Sequence, residues 1–162
     1  MPDIRIREVG VNELGLLLSW REEVLRCVFS LPENADTSAL MQANEAYYKC
    51  AVPSGTHIAC FAQKGGETIG CGGLCLHDEM PSPDNPSGRC AYLMNIYVRE
   101  GHRGEGAGKK IVRYLIGCAL ERNITKIYLE TSPCGRAMYE ASGFSEMRDM
   151  MLLTYGGESA LN

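Results

Sequence analysis

A glycine-rich loop between a buried strand and an amphipathic helix constrains this chain more than any other feature. Residues 99–110 read REGHRGEGAGKK. The run before them, residues 90–98, is almost wholly apolar, which is typical of a central strand covered on both faces. The run after them has apolar residues at three- and four-residue steps, namely Ile111, Val112, Leu115, Ile116, Ala119 and Leu120. The pattern predicts a strand, a glycine loop and a helix in that order.

The alternate glycines of this loop, Gly104, Gly106 and Gly108, predict an anion site. Glycines leave the backbone N–H groups uncovered at a helix N-terminus, where unpaired donors and the positive end of the helix dipole attract negative charge. A turn with only a packing role needs one or two glycines rather than three at alternate positions. The expected ligand is therefore a phosphate group.

Two common nucleotide loops fit this stretch poorly. A Walker loop needs G-x-x-x-x-G-K-[ST], but alignment on Gly108 and Lys109 puts Arg103 at the first glycine and Lys110 at the hydroxyl. A dinucleotide loop needs G-x-G-x-x-G with an acid about twenty residues later, and although Glu130 lies near such a position, the glycine spacing is wrong. Doubly wound nucleotide folds also place this loop after their first strand, whereas here 98 residues precede it.

Size and charge narrow the class of protein. At 162 residues the chain has the size of one domain, and we expect a single domain over residues 1–162. The net charge of -4 provides no basic field for a phosphate backbone, so no nucleic-acid partner is expected. The N-terminal residues MPDIRIREVG lack the apolar core of a signal peptide, and no membrane span is apparent. We therefore expect a cytoplasmic protein with no membrane partner.

The cysteines and histidines do not predict a metal site. The eight cysteines form no C-x-x-C pair, and most lie in apolar runs, where a thiol behaves as a small hydrophobic group in a reducing compartment. The three histidines, His57, His77 and His102, are scattered along the chain. No metal is expected.

Periodicity and turn residues give the rest of the secondary structure. We expect a strand over 3–9, helices over 12–29 and 37–52, and a hairpin of strands 57–63 and 68–77. An exposed proline-rich loop over 80–88 and a central strand over 90–98 should follow, then a helix after the glycine loop and a strand that ends at Glu130. In the hairpin connection, Gly65 and Gly66 allow positive φ.

Two motifs together resemble one protein family. Arg103-x-x-Gly106-x-Gly108 matches the R/Q-x-x-G-x-G/A signature of the GCN5-related N-acetyltransferase (GNAT) superfamily. About thirty residues later, Arg136 to Phe144 is similar to the A-x-x-x-Y-x-x-x-G-F run that closes such domains. The resemblance implies a mixed α/β fold with a mostly antiparallel central sheet, a splay between strands 4 and 5, about four flanking helices and a last strand after the short terminal helix.

The resemblance also implies an activity and a cofactor. It predicts direct transfer of an acetyl group from acetyl-CoA to a primary amine on a small molecule or peptide. The main chain of Ile96, Tyr97 and Val98 would pair with the pantetheine arm. The remaining cofactor-binding residues implied are Arg103, Gly104, Glu105, Gly106, Ala107, Gly108, Lys109, Ser132, Arg136 and Tyr139. Substrate specificity in this superfamily comes from the first two helices and a loop, here residues 33–48 and 80–88.

The resemblance gives candidate residues for proton transfer, each with an alternative role. Tyr139 aligns with the tyrosine that approaches the sulfur, although a tyrosine there also suits a helix-to-sheet core. Some members use a glutamate on the fourth strand, but Tyr92 stands at that position and residues 90–98 hold no carboxylate. Glu130 is the best substitute base, with a surface ion pair as its alternative role. Asn95 would orient an amine or a water, or else satisfy a neighbouring main-chain group.

Other functions stay open at this point. The missing carboxylate would permit a non-catalytic module that senses acyl-CoA, and a nucleotide-dependent oxidoreductase is a weaker alternative. A homodimer is compatible with the sequence.

Overall fold

A five-stranded sheet organises residues 3–153, the part of the chain that the computed structural model describes. Its strands are β1 (Ile4–Val9), β2 (His57–Lys64), β3 (Glu67–Asp78), β4 (Arg89–Val98) and β5 (Lys126–Leu129). They lie side by side in chain order. The first four pair antiparallel, whereas β5 runs parallel to β4. Four helices complete the fold: α1 (Leu14–Val28), α2 (Ser38–Ala51), α3 (Ala107–Glu121) and α4 (Pro133–Glu140).

The two faces of the sheet have separate cores. On one face α3 buries Ile111, Val112 and Leu115 against the strands. On the other face α1 buries Trp20 beside Phe61 of β2, with ring centroids 5.7 Å apart, and α2 adds the buried Tyr48. Because both faces are covered, the central strands carry apolar residues on both sides, as the sequence predicted for residues 90–98.

The close approach of α3 to the sheet depends on glycines in β3. A Cβ atom at Gly72 would overlap Cγ2 of Ile111 and lie 3.1 Å from Cδ1 of Leu115. At Gly70 an added Cβ would lie 2.6 Å from the main-chain oxygen of Tyr97. These glycines let the helix that follows the glycine-rich loop sit directly on the strands.

The predicted fold class is confirmed: the sheet is mixed, mostly antiparallel, and flanked by four helices. The hairpin connection has φ of 58° at Gly65 and 87° at Gly66, as its glycines predicted. The first helix begins later than predicted, at Leu14, after a short 3-10 turn over residues 11–13. The expected last strand is absent from residues 141–153, and residues 154–162 lie outside the described part of the chain.

Replacing Gly72 with alanine should destabilise the fold. The new methyl group has no room beneath α3, and overpacking of a core costs about 1–3 kcal/mol. Gly117 is the matched control, because it lies within α3 with nothing within 4 Å of an added Cβ, so Gly117→Ala should stabilise by about 0.5–1 kcal/mol. Chemical denaturation measures both changes in the free energy of unfolding. Equal stabilities of Gly72→Ala and the wild type would contradict this packing.

Candidate active site

The sheet opens between β4 and β5. Their parallel pairing covers only residues 90–93 of β4, opposite residues 126–129 of β5. Beyond Leu93, β4 continues for five residues to Val98 and pairs only with β3. The main chain of residues 94–98 therefore has no strand partner on the β5 side within the described residues, and this open edge is the predicted splay.

A bulge in β4 lies at the start of the open edge. Met94 pairs with Gly73 and Tyr97 pairs with Cys71, so Asn95 and Ile96 together oppose the single residue between those β3 partners. Asn95 has φ of 58°, a left-handed conformation that asparagine adopts more readily than most other non-glycine residues. Such a bulge leaves main-chain groups unpaired and re-aims a side chain. Met94 and Asn95 both line the cavity described below.

The glycine-rich loop follows the open edge directly. Gly104 and Gly106 have φ of 80° and 86°, and nothing lies within 4 Å of a Cβ added at either. Gly106 occupies the N-cap position of α3. Within residues 3–153 no acceptor is recorded for the main-chain N–H groups of residues 104–109. The loop thus presents free donors at the N-terminus of α3, beside the end of β4.

Three side-chain contacts hold the loop in place. Arg103 donates from Nε to the main-chain oxygen of Val98 at 3.1 Å. Lys64 of β2 pairs with both carboxylate oxygens of Glu105 at 2.8 Å, and this hydrogen bond lowers the pKa of Glu105. Arg99 forms a bidentate pair with Glu23 of α1 at 2.9 and 2.8 Å. The loop is therefore fixed to β4, β2 and α1 before any ligand binds.

A small cavity lies on the α1–α2 face of the sheet, next to the bulge. Its volume is about 250 Å³. The sheet contributes His57, Cys75, Met94 and Asn95, and the helices contribute Arg21, Asn44, Tyr47 and Tyr48. Since residue 94 is the first β4 residue past the β5 pairing, the cavity begins where the sheet opens.

Hydrogen bonds tie the helices to the floor of this cavity. Arg21 donates from Nε to Asn44 Oδ1 at 3.0 Å and from Nη1 to Asn95 Oδ1 at 2.8 Å. The hydroxyl of Tyr47 lies 3.0 Å from Nδ1 of His57. Burial, followed by the charge of Arg21, lowers the pKa of His57 to about 4. Burial raises the pKa of Tyr47, so the phenol keeps its proton and stays within hydrogen-bond distance of both the neutral imidazole and the sulfur of Cys75.

Three tyrosines, Tyr92, Tyr128 and Tyr139, lie on the β5 side of the opening. The rings of Tyr92 and Tyr128 have centroids 5.2 Å apart. Burial raises the pKa of Tyr92, and the charge of Glu130 adds to that shift. Burial, and then Tyr92, raises the pKa of Tyr139, whose ring packs edge-on against Phe144. Tyr92 is thus electrostatically coupled both to Glu130 and to Tyr139.

The comparisons with known proteins agree with this geometry. The sequence model of the acetyltransferase (GNAT) family matches residues 18–144. The chain belongs to this family. A predicted acetyltransferase from Clostridium acetobutylicum, solved with acetyl-CoA, is 25% identical with a TM-score of 0.83, and the match covers 94% of this chain and 96% of that one. No curated protein sequence matches the chain.

Further solved structures share the fold at lower identity. A GCN5-related N-acetyltransferase from Ralstonia eutropha JMP134 is 22% identical with a TM-score of 0.78, over 95% of this chain and all of that one. Glucosamine-6-phosphate N-acetyltransferase from Arabidopsis thaliana is 16% identical with a TM-score of 0.66, over 95% and 99%. These two likenesses establish the fold of this acetyltransferase.

The predicted site residues of this acetyltransferase lie in three places: along the open edge and loop, in the cavity, and on the β5 side. Ile96, Tyr97 and Val98 lie on the open edge, and residues 103–109 form the loop and the first turn of α3. Asn95 lies in the cavity instead, bonded to Arg21. Glu130 and Tyr139 lie on the β5 side and line the groove between β5 and α4.

Of the residues in and next to α4 that were predicted to bind the cofactor, Ser132 and Arg136 are exposed and Tyr139 is half-buried. Ser132 stands at the N-cap position of α4 without a capping hydrogen bond from its side chain. Arg136 lies one turn further along and makes only a loose contact of 3.7 Å with Glu140. Both side chains are therefore available to a ligand.

Sequence reasoning missed most of the cavity. Arg21, Tyr47, His57 and Cys75 come from α1, α2, β2 and β3, and no motif connects them. Two signals pointed to it: Asn95, the single amide in an apolar strand, and the stretch 33–48, expected to govern specificity, which supplies Asn44, Tyr47 and Tyr48. The proline-rich loop 80–88, expected to share that role, supplies no lining residue of this cavity.

Residues 3–153 contain neither a metal-binding cluster nor a helix suited to spanning a membrane. No cluster of three or more His, Cys, Asp or Glu side chains suited to a metal ion occurs there. Likewise, none of the helices in this range has the length and apolar character needed to cross a membrane.

The buried imidazole of His57 should make stability fall in acid. The unfolded chain binds a proton near pH 6.5 and the folded chain only near pH 4, so lowering the pH through that window favours unfolding. At full effect the loss is about 3 kcal/mol relative to His57→Gln, which lacks the titrating group. Denaturation of both proteins between pH 7 and 4, with the imidazole followed by NMR, measures it. An imidazole that titrates at its ordinary pKa would contradict the burial.

Proposed function

We propose that this acetyltransferase moves the acetyl group of acetyl-CoA directly to a primary amine, with both substrates bound at once. One observation carries the proposal: the free main-chain edge of β4 leads straight into free amides at the N-terminus of α3. An extended thioester arm that ends in a diphosphate needs this combination. We also propose that residues 1–162 act as one domain in the cytoplasm, on a small-molecule or peptide amine.

The cofactor would bind along the edge and the loop. The amides of residues 104–108 would hold the pyrophosphate, whereas the predicted amide of Arg103 already donates to the main-chain oxygen of Glu100. The main chain of residues 96–98 would pair with the pantetheine arm as an added strand would. The exposed side chains of Lys109, Ser132 and Arg136 would contact the outer part of the cofactor. The acetyl-CoA complex of the similar Clostridium acetobutylicum protein supports this choice of cofactor.

The reaction would occur where the sheet opens. The neutral amine attacks the thioester carbonyl, a main-chain N–H at the bulge stabilises the oxyanion, and the C–S bond breaks as the C–N bond forms. Tyr139 keeps its proton at neutral pH because burial raises its pKa, so it can protonate the departing thiolate. Glu130, the carboxylate coupled to Tyr92, would take the proton from the amine. Asn95 would orient the acceptor together with Arg21.

The loop is tested by a pair of glycine variants. Gly106→Ala forces a side chain into a left-handed conformation and covers a free amide, so we expect the Kd for acetyl-CoA to rise at least about tenfold. Gly101→Ala is the control, because Gly101 has equal space around an added Cβ and no positive φ. Calorimetric titration with acetyl-CoA measures both. Equal weakening in the two variants, or none in Gly106→Ala, would refute phosphate binding by this loop.

The acid and the base are tested together by release of free thiol from acetyl-CoA on a panel of amines. Tyr139→Phe should lower kcat about 10²-fold or more, with the Kd for acetyl-CoA unchanged. Glu130→Gln should likewise lower kcat with the Kd for acetyl-CoA unchanged. Tyr114→Phe is the control, because that phenol contacts Glu8 near β1 and lies away from the opening.

Three outcomes would oppose this mechanism. Acetyl-CoA binding without thiol release on any amine would favour a non-catalytic sensor. Full activity in Tyr139→Phe would remove its role as acid. Unaltered activity in Glu130→Gln would leave the ion-pair role as its better explanation.

A further inference from the structure

Arg21 is a cation without an anionic partner in the wall of the cavity. Its two recorded hydrogen bonds go to the amide oxygens of Asn44 and Asn95, which are neutral acceptors. A guanidinium has five N–H donors, so three remain on Nη1 and Nη2. Within residues 3–153 no carboxylate forms an ion pair with it. The two amides fix the orientation of the planar guanidinium, whose N–H groups form a fork, and they leave its charge uncompensated.

Three other part-buried arginines are neutralised by carboxylates, whereas the part-buried Arg122 donates to the main-chain oxygen of Cys118. Arg7 pairs with Glu13 at 2.7 Å, Arg26 with Glu22 at 2.8 Å and Arg99 with Glu23 at 2.8 Å. Glu22 and Glu23 even follow Arg21 directly on α1, yet each is engaged by a different arginine. The carboxylates nearest in sequence are therefore committed elsewhere, and the Arg21 fork stays available to a ligand.

The Arg21 guanidinium lies close to the open edge, where the thioester of the cofactor would react. Asn95, which holds Nη1, lies in the bulge of β4 beside the open edge. The remaining lining residues carry no negative charge, and the His57 imidazole is neutral at neutral pH. An anion bound by Arg21 would thus hold the rest of its molecule next to the opening. The cavity volume of about 250 Å³ limits the ligand to a small molecule or the end of a chain.

We propose that the acceptor is a small amine that carries a carboxylate, as an amino acid does, and that Arg21 binds this carboxylate through its free N–H groups. The inference rests on the proposed transfer to an amine and names the class of acceptor. A planar guanidinium fork matches a carboxylate in geometry, and its single charge matches one negative charge. A phosphate monoester carries up to two charges, and this cavity offers no second cation in its lining.

Matched acceptors test the proposal. Each amino acid of a panel is compared with its carboxamide, which keeps the amine and the side chain but lacks the charge, and 2-aminoethyl phosphate is included as a phosphate-bearing amine. We expect kcat/KM to favour the acids at least tenfold over their amides in the wild type. Arg21→Gln should reduce this preference at least tenfold without changing the KM for acetyl-CoA.

Two further variants separate loss of carboxylate binding from misfolding. Arg21→Lys retains the charge without the fork and should keep part of the preference. Arg113→Gln removes an exposed arginine from α3, on the other face of the sheet, and should behave as the wild type does. Circular dichroism and denaturation establish that each variant is folded.

The outcomes separate this inference from the proposed function. Amides used as well as acids, an unchanged preference in Arg21→Gln, or a dominant preference for 2-aminoethyl phosphate would each overturn it. If no amine is acetylated, the proposed transfer fails. In that case, calorimetric binding of N-acetyl amino acids against N-acetyl amino amides still tests recognition by Arg21, with equal affinity in wild type and Arg21→Gln refuting it.

Discussion

The short pairing between β4 and β5 is the constraint on which this structure depends. Backbone groups within a covered sheet normally find partners, because an unpaired buried polar group is costly. Here β4 extends five residues beyond the last residue paired to β5, and one of its edges stays free. The bulge at Asn95 adds a local break in the pairing with β3. An edge of this kind is a binding surface for an extended ligand, provided that the rest of the strand is held firmly.

Neighbouring elements supply that rigidity. The glycines of β3 let α3 sit directly on the sheet, so the N-terminus of the helix has a fixed position beside the end of β4. On the other face Arg99, at the end of β4, stacks over Trp20 with 4.3 Å between its guanidinium carbon and the ring centroid while it pairs with Glu23. The free edge and the free amides are therefore held in one geometry by both cores. Pre-organisation of this kind lowers the entropic cost of binding.

The electrostatics of the opening differ between its two sides. On the β5 side lie tyrosines whose pKa values are raised by burial, with Glu130 as the nearby carboxylate. On the α1–α2 side the polar lining is neutral apart from Arg21, because burial keeps His57 uncharged and Tyr47 protonated. In the proposed reaction, proton transfer and substrate recognition would thus use different groups, which suits a reaction in which an amine must lose its charge while the rest of the acceptor is held.

The sequence by itself determined the family, the order of the elements and the glycine loop, because these depend on local patterns: apolar periodicity, glycines at fixed spacing and the run from Arg136 to Phe144. The sequence also singled out Asn95, because it is the one amide in an apolar strand. Only the tertiary structure decided what Asn95 contacts, and that Arg21, Tyr47, His57 and Cys75 surround one cavity. Those residues come from four separate elements, and their charges and pKa values follow from burial and from each other, which no spacing along the chain encodes.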